Sequence, residues 1–205
     1  MTPAAPERTL VWLADAAALD EPALAACAGW LGGGERERLA RFVRAERRIQ
    51  FIGGRALLRR ALGELLGVAP GAIALQERPG LGPALVHPAA PAVGFSISHS
   101  GTWIACAAST ETALGLDIER IDPGRDVLRL AEQAFEPGLA ARLAACEAAE
   151  RTDLFYRLWC ELEAGIKLAL PVGKMYAFGR PGLSAALACA APLVSDPTFE
   201  LVTFE

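Results

Sequence analysis

Apolar residues recur at helical spacing over some stretches of this chain and at every second position over others, so the sequence predicts a mixture of helices and strands. Leu10 to Leu13 reads as a short strand, and Pro22 to Trp30 as a helix ended by the run Gly32-Gly33-Gly34. From Glu35 to Leu66, residues Leu39, Phe42, Val43, Ile49, Ile52, Leu58, Leu62 and Leu65 keep a three-to-four spacing. Gly53-Gly54 interrupts them, which predicts two helices or one bent one. Residues 67–92, rich in Pro, Gly and Ala, read as a loop-dominated connection with one short strand around Ile73 to Leu75.

Three strands are then expected in quick succession. Val93, Phe95 and Ile97 alternate with Gly94, Ser96 and Ser98; the turn His99-Ser100-Gly101-Thr102 leads into the apolar run Trp103 to Ala108; and Leu114, Leu116 and Ile118 alternate with Gly115, Asp117 and Glu119. Together they predict an antiparallel meander. Helical patterning resumes at 126–134, at 139–149 and from Thr152 to Leu170, where Phe155, Leu158, Leu162, Ile166 and Ala169 form one apolar stripe. Beyond Pro171 the chain reads as loop-rich, with strands expected at 184–190 and 199–204.

A length of 205 residues, 53% of them hydrophobic, supports one large domain or two small halves. No uninterrupted apolar run reaches about 18 residues, and the opening segment lacks the basic start and apolar core of a secretory signal, so a cytoplasmic protein without a membrane span is expected. The five cysteines are scattered and contain no CxxC pair, which argues against a zinc site or disulfide framework and for reduced thiols in the core. A net charge of −4 argues against a general nucleic-acid binder. Yet nine arginines stand between Arg36 and Arg60 against only Glu37 and Glu46. That excess is either a solvated helix face or a site for a small polyanion.

Three short segments carry candidate chemistry. Asp117 and Glu119, two apart on a strand, project from one face with Cα atoms about 6.5 to 7 Å apart, and oxygen ligands without a nearby His or Cys favour Mg²⁺ over zinc. A solvated strand face would look the same. Glu163 and Lys167 lie four apart on the last long helix, as an ordinary intrahelical ion pair or as a metal ligand and a phosphate contact. Ser98-His99-Ser100-Gly101 brings hydroxyls, amides and an imidazole together at a strand end. No acidic partner at nucleophile-elbow spacing suggests a serine hydrolase.

In this order and spacing FSISHSG, LGLDIE and FYRLWCELEAGIK resemble the three signature blocks of the Sfp-type 4'-phosphopantetheinyl transferases. The stretch ARFVRAERRIQFIGGRALLRRAL resembles that family's basic first half, and Glu77-Arg78-Pro79 its G-K-P step. The resemblance implies an α+β fold of two similar halves, 1–113 and 114–205, about a pseudo-twofold axis: a monomer that is a pseudo-dimer, with coenzyme A in the cleft between the halves. It implies transfer of phosphopantetheine from coenzyme A to a serine of an acyl or peptidyl carrier protein. Asp117, Glu119 and Glu163 would hold Mg²⁺, Glu163 or a metal-bound water would take the serine proton, and Lys167 would neutralise the diphosphate. His99 and Ser98 would hold the 3'-phosphate, helped by Arg78 and by Arg48 or Arg55.

Two departures from the family pattern stand out. Trp159 is followed by Cys160, Glu161 and then Leu162 at the position of the first lysine of W-x-x-K-E, so Leu162 either continues a buried stripe or borders the cofactor site. The segment after Lys167 is also short, which implies a reduced second sheet. A coenzyme A-binding relative without transferase activity, and an adaptor protein using the basic helix face, remain as rivals.

Overall fold

The computed structural model describes residues 8–90 and 93–204; the first seven residues, on which part of the leader expectation falls, lie outside these. Strand β1 (Thr9–Asp15) is followed by helices α1 (Glu21–Gly29), α2 (Gly33–Ala40) and α3 (Ala45–Leu66), a small hairpin β2 (Ala74–Gln76) and β3 (Ala84–His87), and a long hairpin β4 (Gly94–Ser100) and β5 (Trp103–Ser109). The second part runs β6 (Leu114–Arg120), α4 (Val127–Ala134), α5 (Pro137–Ala145), α6 (Ala148–Leu168), the hairpin β7 (Lys174–Arg180) and β8 (Leu183–Cys189), and β9 (Phe199–Leu201). The fold is α+β.

One topology occurs twice. In the first sheet, ordered β4-β5-β1-β9, the second hairpin strand pairs back antiparallel with the opening strand, from Thr9↔Ser109 to Asp15↔Trp103. In the second, ordered β6-β8-β7, β8 does the same with β6, from Leu114↔Cys189 to Arg120↔Leu183. A long helix covers each, and each helix ends on a left-handed residue, Gly67 at φ 66° and Ala169 at φ 56°. Among the described residues the second sheet has three strands and the first has four, the fourth being β9 from the 114–205 segment.

Both faces of β1 and β5 are buried, which is why these strands read as apolar runs rather than as alternation. Leu10, Trp12, Ile104 and Cys106 meet Leu57, Leu58, Ala61 and Leu62 of α3. Val11, Leu13, Ala105 and Ala107 meet Leu114, Leu116, Ile118 and Leu187 of the second sheet. The two halves therefore share one apolar seam.

The structure corrects four sequence expectations. The helical break falls at residues 41–44, and Gly53-Gly54 lie within α3. Their role is close packing, because a Cβ on Gly53 would stand 2.7 Å from Ile104 Cδ1 and one on Gly54 3.3 Å from Ile97 Cγ2. The meander is not formed: β1 takes the free edge of β5, and β6 opens a separate sheet. Strands β3 and β7 occupy segments read as loops, since glycine and proline at their ends masked short alternating runs. The buried face of α6 is Phe155, Tyr156, Cys160, Ala164 and Leu168, leaving Leu162 37% and Ile166 62% exposed.

That last correction has a packing cause. A Cβ on Gly115 of β6 would stand 2.2 Å from Ala164 O and 2.4 Å from Leu168 N, so α6 rests directly on strand backbone. Only small residues fit such a contact, and Cys160 and Ala164 supply them. Gly115→Ala is expected to destabilise the protein by roughly 2 to 4 kcal/mol through overpacking. Gly29→Ala, at a helical position with nothing within 4 Å, should change stability by no more than about 1 kcal/mol and in the favourable direction. Denaturant unfolding of the two variants measures both.

Candidate active site

The hydroxyls of β4 fasten the two sheets together. The edge of β6 that faces away from β8 carries unpaired backbone amides, and three serines at alternate positions of β4 accept from them: Leu116 N to Ser96 Oγ at 3.0 Å, Ile118 N to Ser98 Oγ at 3.2 Å and Arg120 N to Ser100 Oγ at 3.0 Å. Two of these hydroxyls donate onward. Ser98 Oγ donates to Asp117 Oδ1 at 2.9 Å, and Ser100 Oγ to Glu119 Oε2 at 2.7 Å. Ser98 and Ser100 thus each join one amide of β6 to the carboxylate of the preceding residue. At Gly115, the matching position beside Ser96, α6 leaves no room for a side chain.

Lys167 closes this network from α6. Its ammonium donates to Asp117 Oδ1 at 2.7 Å, Ser98 Oγ at 3.0 Å and the carbonyl of Leu116 at 3.0 Å, which uses all three protons. The ion pair of Lys167 is therefore with Asp117 across the fold. Asp117 is buried, and its Oδ2 has no partner. Burial pushes the Glu119 carboxyl above the usual range, with the neighbouring Asp117 charge adding to the shift.

Glu163 is half-buried on α6, one turn before Lys167. Among the described residues no three His, Cys, Asp or Glu side chains are gathered closely enough to hold a metal ion. Asp117 and Glu119 still suit Mg²⁺, which takes one or two carboxylates and completes its shell with phosphate oxygens and water. Leu162 lies on the surface and not in the core, so the buried-stripe alternative for this residue does not hold.

Beside this network opens a cleft of about 900 Å³, with Arg47, Arg78, His99, Phe51 and Lys167 in its wall. The basic stretch is distributed unevenly around it. Arg59 is buried on Glu35 through Nη1 at 3.0 Å and Nη2 at 2.5 Å. Arg55, also buried, pairs with Glu77, and its Nε lies 3.2 Å from Glu35 Oε1 without hydrogen-bond alignment. Against the cost of burial, Arg38 and Arg55 hold the Glu77 carboxyl below the usual range. Arg48 is exposed and reaches the carbonyl of Leu39. Arg78 is exposed at the mouth and donates to the carbonyl of Gly82 at 2.8 Å.

Arg47 escaped the sequence reading. Its Nη1 lies 2.8 Å from Nε2 and 3.1 Å from Nδ1 of His99 and donates to Gln50 Oε1 at 2.7 Å, while Gln50 Nε2 donates to the carbonyl of Gly101. No carboxylate touches it among the described residues. Within a run of nine arginines, only the helical phase relative to Ile52 and Gly54 separates Arg47 from Arg48, and that signal is faint. Ser98 is spent on Asp117, Lys167 and the Ile118 amide. A second cavity, of about 790 Å³, lies between α6 and the β7–β8 hairpin and includes none of the expected site residues in its wall.

A profile described as 4'-phosphopantetheinyl transferase, N-terminal, matches residues 21–111, and one described as the 4'-phosphopantetheinyl transferase superfamily matches residues 113–181. The chain belongs to the 4'-phosphopantetheinyl transferase superfamily. It is 35% identical over 135 residues to a 4'-phosphopantetheinyl transferase of Bacillus subtilis, covering 66% of this chain and 58% of that protein. It is 32% identical over 155 residues to the transferase HetI of a Nostoc species, covering 73% and 64%, and 33% identical over 121 residues to AcpT of Escherichia coli, covering 59% and 57%. The chain thus spans less than two thirds of the length of these transferases.

Burial and the adjacent Arg47 guanidinium lower the pKa of His99 from its ordinary value of 6.5. The unfolded chain therefore binds this proton more tightly than the folded one, so the stability present above pH 6.5 is lost as pH falls below it. Wild-type protein should lose more stability than His99→Gln between about pH 7 and 5, and thermal melts of both proteins across that range test the sign.

Proposed function

We propose that the protein moves the 4'-phosphopantetheine arm of coenzyme A onto a serine of an acyl or peptidyl carrier protein and releases adenosine 3',5'-bisphosphate. The observation that carries this reading is the position of Lys167, which touches Asp117 on one side and a cleft walled by Arg47, Arg78 and His99 on the other. A displacement at phosphorus needs charge neutralisation and alignment more than covalent help, and these residues supply both.

In this reading the nucleotide end of coenzyme A occupies the cleft. Arg47 and His99 hold the 3'-phosphate, with Arg78 at the mouth; Arg55, neutralised by glutamates, supports the wall, and Ser98 supports Asp117. Asp117 and Glu119 would hold Mg²⁺, with Glu163 of α6 as the third carboxylate that the family resemblance implies, and the ion would supply charge neutralisation at the diphosphate when bound. The carrier serine oxygen forms a bond to the phosphorus that bears pantetheine. The bond from that phosphorus to the bridging oxygen breaks, its electrons leave with adenosine 3',5'-bisphosphate, and the serine proton passes to Glu163.

The division into halves at residue 113, about a pseudo-twofold axis, is supported by the repeated topology. One chain then supplies both walls of the cleft, which is why we read the protein as a monomer. Arg47 and Arg78 in the cleft of a chain of net charge −4 suit a small polyanion better than nucleic acid.

Incubation of a carrier protein with this protein, Mg²⁺ and coenzyme A should add one phosphopantetheine to the carrier mass. Asp117→Asn should lower that rate at least about a hundredfold. Arg47→Ala and His99→Ala should each raise the Michaelis constant for coenzyme A by roughly ten- to a hundredfold, the loss of one charge-assisted bond, with little change for dephospho-coenzyme A. An unmodified carrier mass would refute the transferase reading, and equal losses with both cofactors would remove Arg47 and His99 from the 3'-phosphate.

A further inference from the structure

Asp117 presents no exposed, uncommitted oxygen to a metal ion arriving from the cleft. Its Oδ2 is buried, and its Oδ1 already accepts from Ser98 Oγ and from the ammonium of Lys167. Lys167 stands in the cleft wall, while Asp117 and Glu119 are not among the lining residues. The side chain of Lys167 is 31% exposed and that of Asp117 only 7%. An ammonium therefore lies between the cleft and the carboxylate.

We propose that Lys167 is the resident counter-cation of Asp117 and must leave it when a divalent cation binds, so that the ion and coenzyme A enter as a coupled pair. This rests on the reading of the cleft given above. On leaving, Lys167 gives up Asp117 Oδ1, Ser98 Oγ and the Leu116 carbonyl together. A charged amine stripped of three acceptors needs an anion, and the diphosphate of coenzyme A supplies one beside the cleft wall. Without coenzyme A the freed ammonium has only water, so the divalent ion alone binds at a penalty. Linkage requires the converse, that coenzyme A without the ion finds Lys167 still held by Asp117. Ser98 then serves as a positioning residue: it keeps Asp117 Oδ1 aimed at whichever cation is present.

The test uses Mn²⁺ as the divalent probe, followed by paramagnetic resonance, on wild-type protein and on Lys167→Met and Lys167→Arg. In the absence of coenzyme A, Lys167→Met should bind Mn²⁺ roughly tenfold more tightly than wild type, and Lys167→Arg should resemble wild type. In parallel, reductive methylation of the wild-type protein, read at the Lys167 peptide by mass spectrometry, needs no variant to fold. Lys167 should be protected in the metal-free protein, reactive at Mn²⁺ concentrations where resonance shows the site filled, and protected again once coenzyme A is added. The exchange is overturned if Lys167→Met binds Mn²⁺ no more tightly than wild type, or if Lys167 stays equally protected in the Mn²⁺-filled protein. Calorimetry separates this from failure of the underlying reading: wild-type protein that does not bind coenzyme A with Mn²⁺ present overturns both, whereas binding with an unmoved Lys167 overturns the exchange alone.

Discussion

The arrangement of this protein depends on satisfying one open strand edge. β6 is paired with β8 on one side only, and its other amides would be left without partners inside the fold, at about 1 to 3 kcal/mol for each buried group. Backbone pairing with β4 would have merged the two sheets into one. Serine hydroxyls reach the amides instead, and a hydroxyl that has accepted an amide proton still has its own to donate. The carboxylates of Asp117 and Glu119 receive those protons, so the device that closes the edge also aims the two acids. The aim of the two carboxylates and the order of the sheets come from the same hydrogen bonds.

Charge around the site is sorted by burial. Glu35 and Glu77 absorb Arg55, Arg59 and Arg38, converting part of a basic helix face into internal ion pairs that hold α2, α3 and the segment after β2 together. Such pairs contribute little net stability over apolar packing but are costly to break singly, so they act as fixtures. Arg47 and Arg78 are left with neutral partners at the cleft, and His99 is kept short of its proton by burial and by Arg47. A concave wall carrying uncompensated cations on a fixed scaffold is what a phosphorylated ligand needs. The carboxylate pair is balanced by Lys167, which contacts Asp117, and by the charge of Arg125, which acts on Glu119.

Close backbone approach sets the remaining geometry. Gly115 lets α6 lie on β6 with no intervening side chain, which brings Lys167 within reach of Asp117. Gly53 and Gly54 let α3 settle onto the side chains of Ile104 and Ile97, which carries Arg47 to His99. A methyl group at Gly115 would meet the backbone of α6 and lift that helix, moving Lys167 with it, whereas one at Gly53 or Gly54 would press on isoleucine side chains.

Local pattern determined much of this protein. Period-two alternation placed β4 and β6, helical spacing placed the long helices, and the ordered blocks around Ser98, Asp117 and Lys167 identified the family, because spacing along one strand or helix is a property of the sequence itself. Tertiary structure decided the rest. Whether Gly53-Gly54 broke a helix or let it pack, whether β6 joined the first sheet, and which face of α6 was buried all depended on what lay opposite in space. The same holds for the charges: Arg47, Arg48 and Arg55 are alike in sequence, and only contact with His99, solvent or two glutamates gave them different work. Ser98 belonged to the expected motif, yet its hydroxyl was claimed by an amide and a carboxylate twenty residues further on, since the unpaired edge of β6 exists only once both sheets have formed.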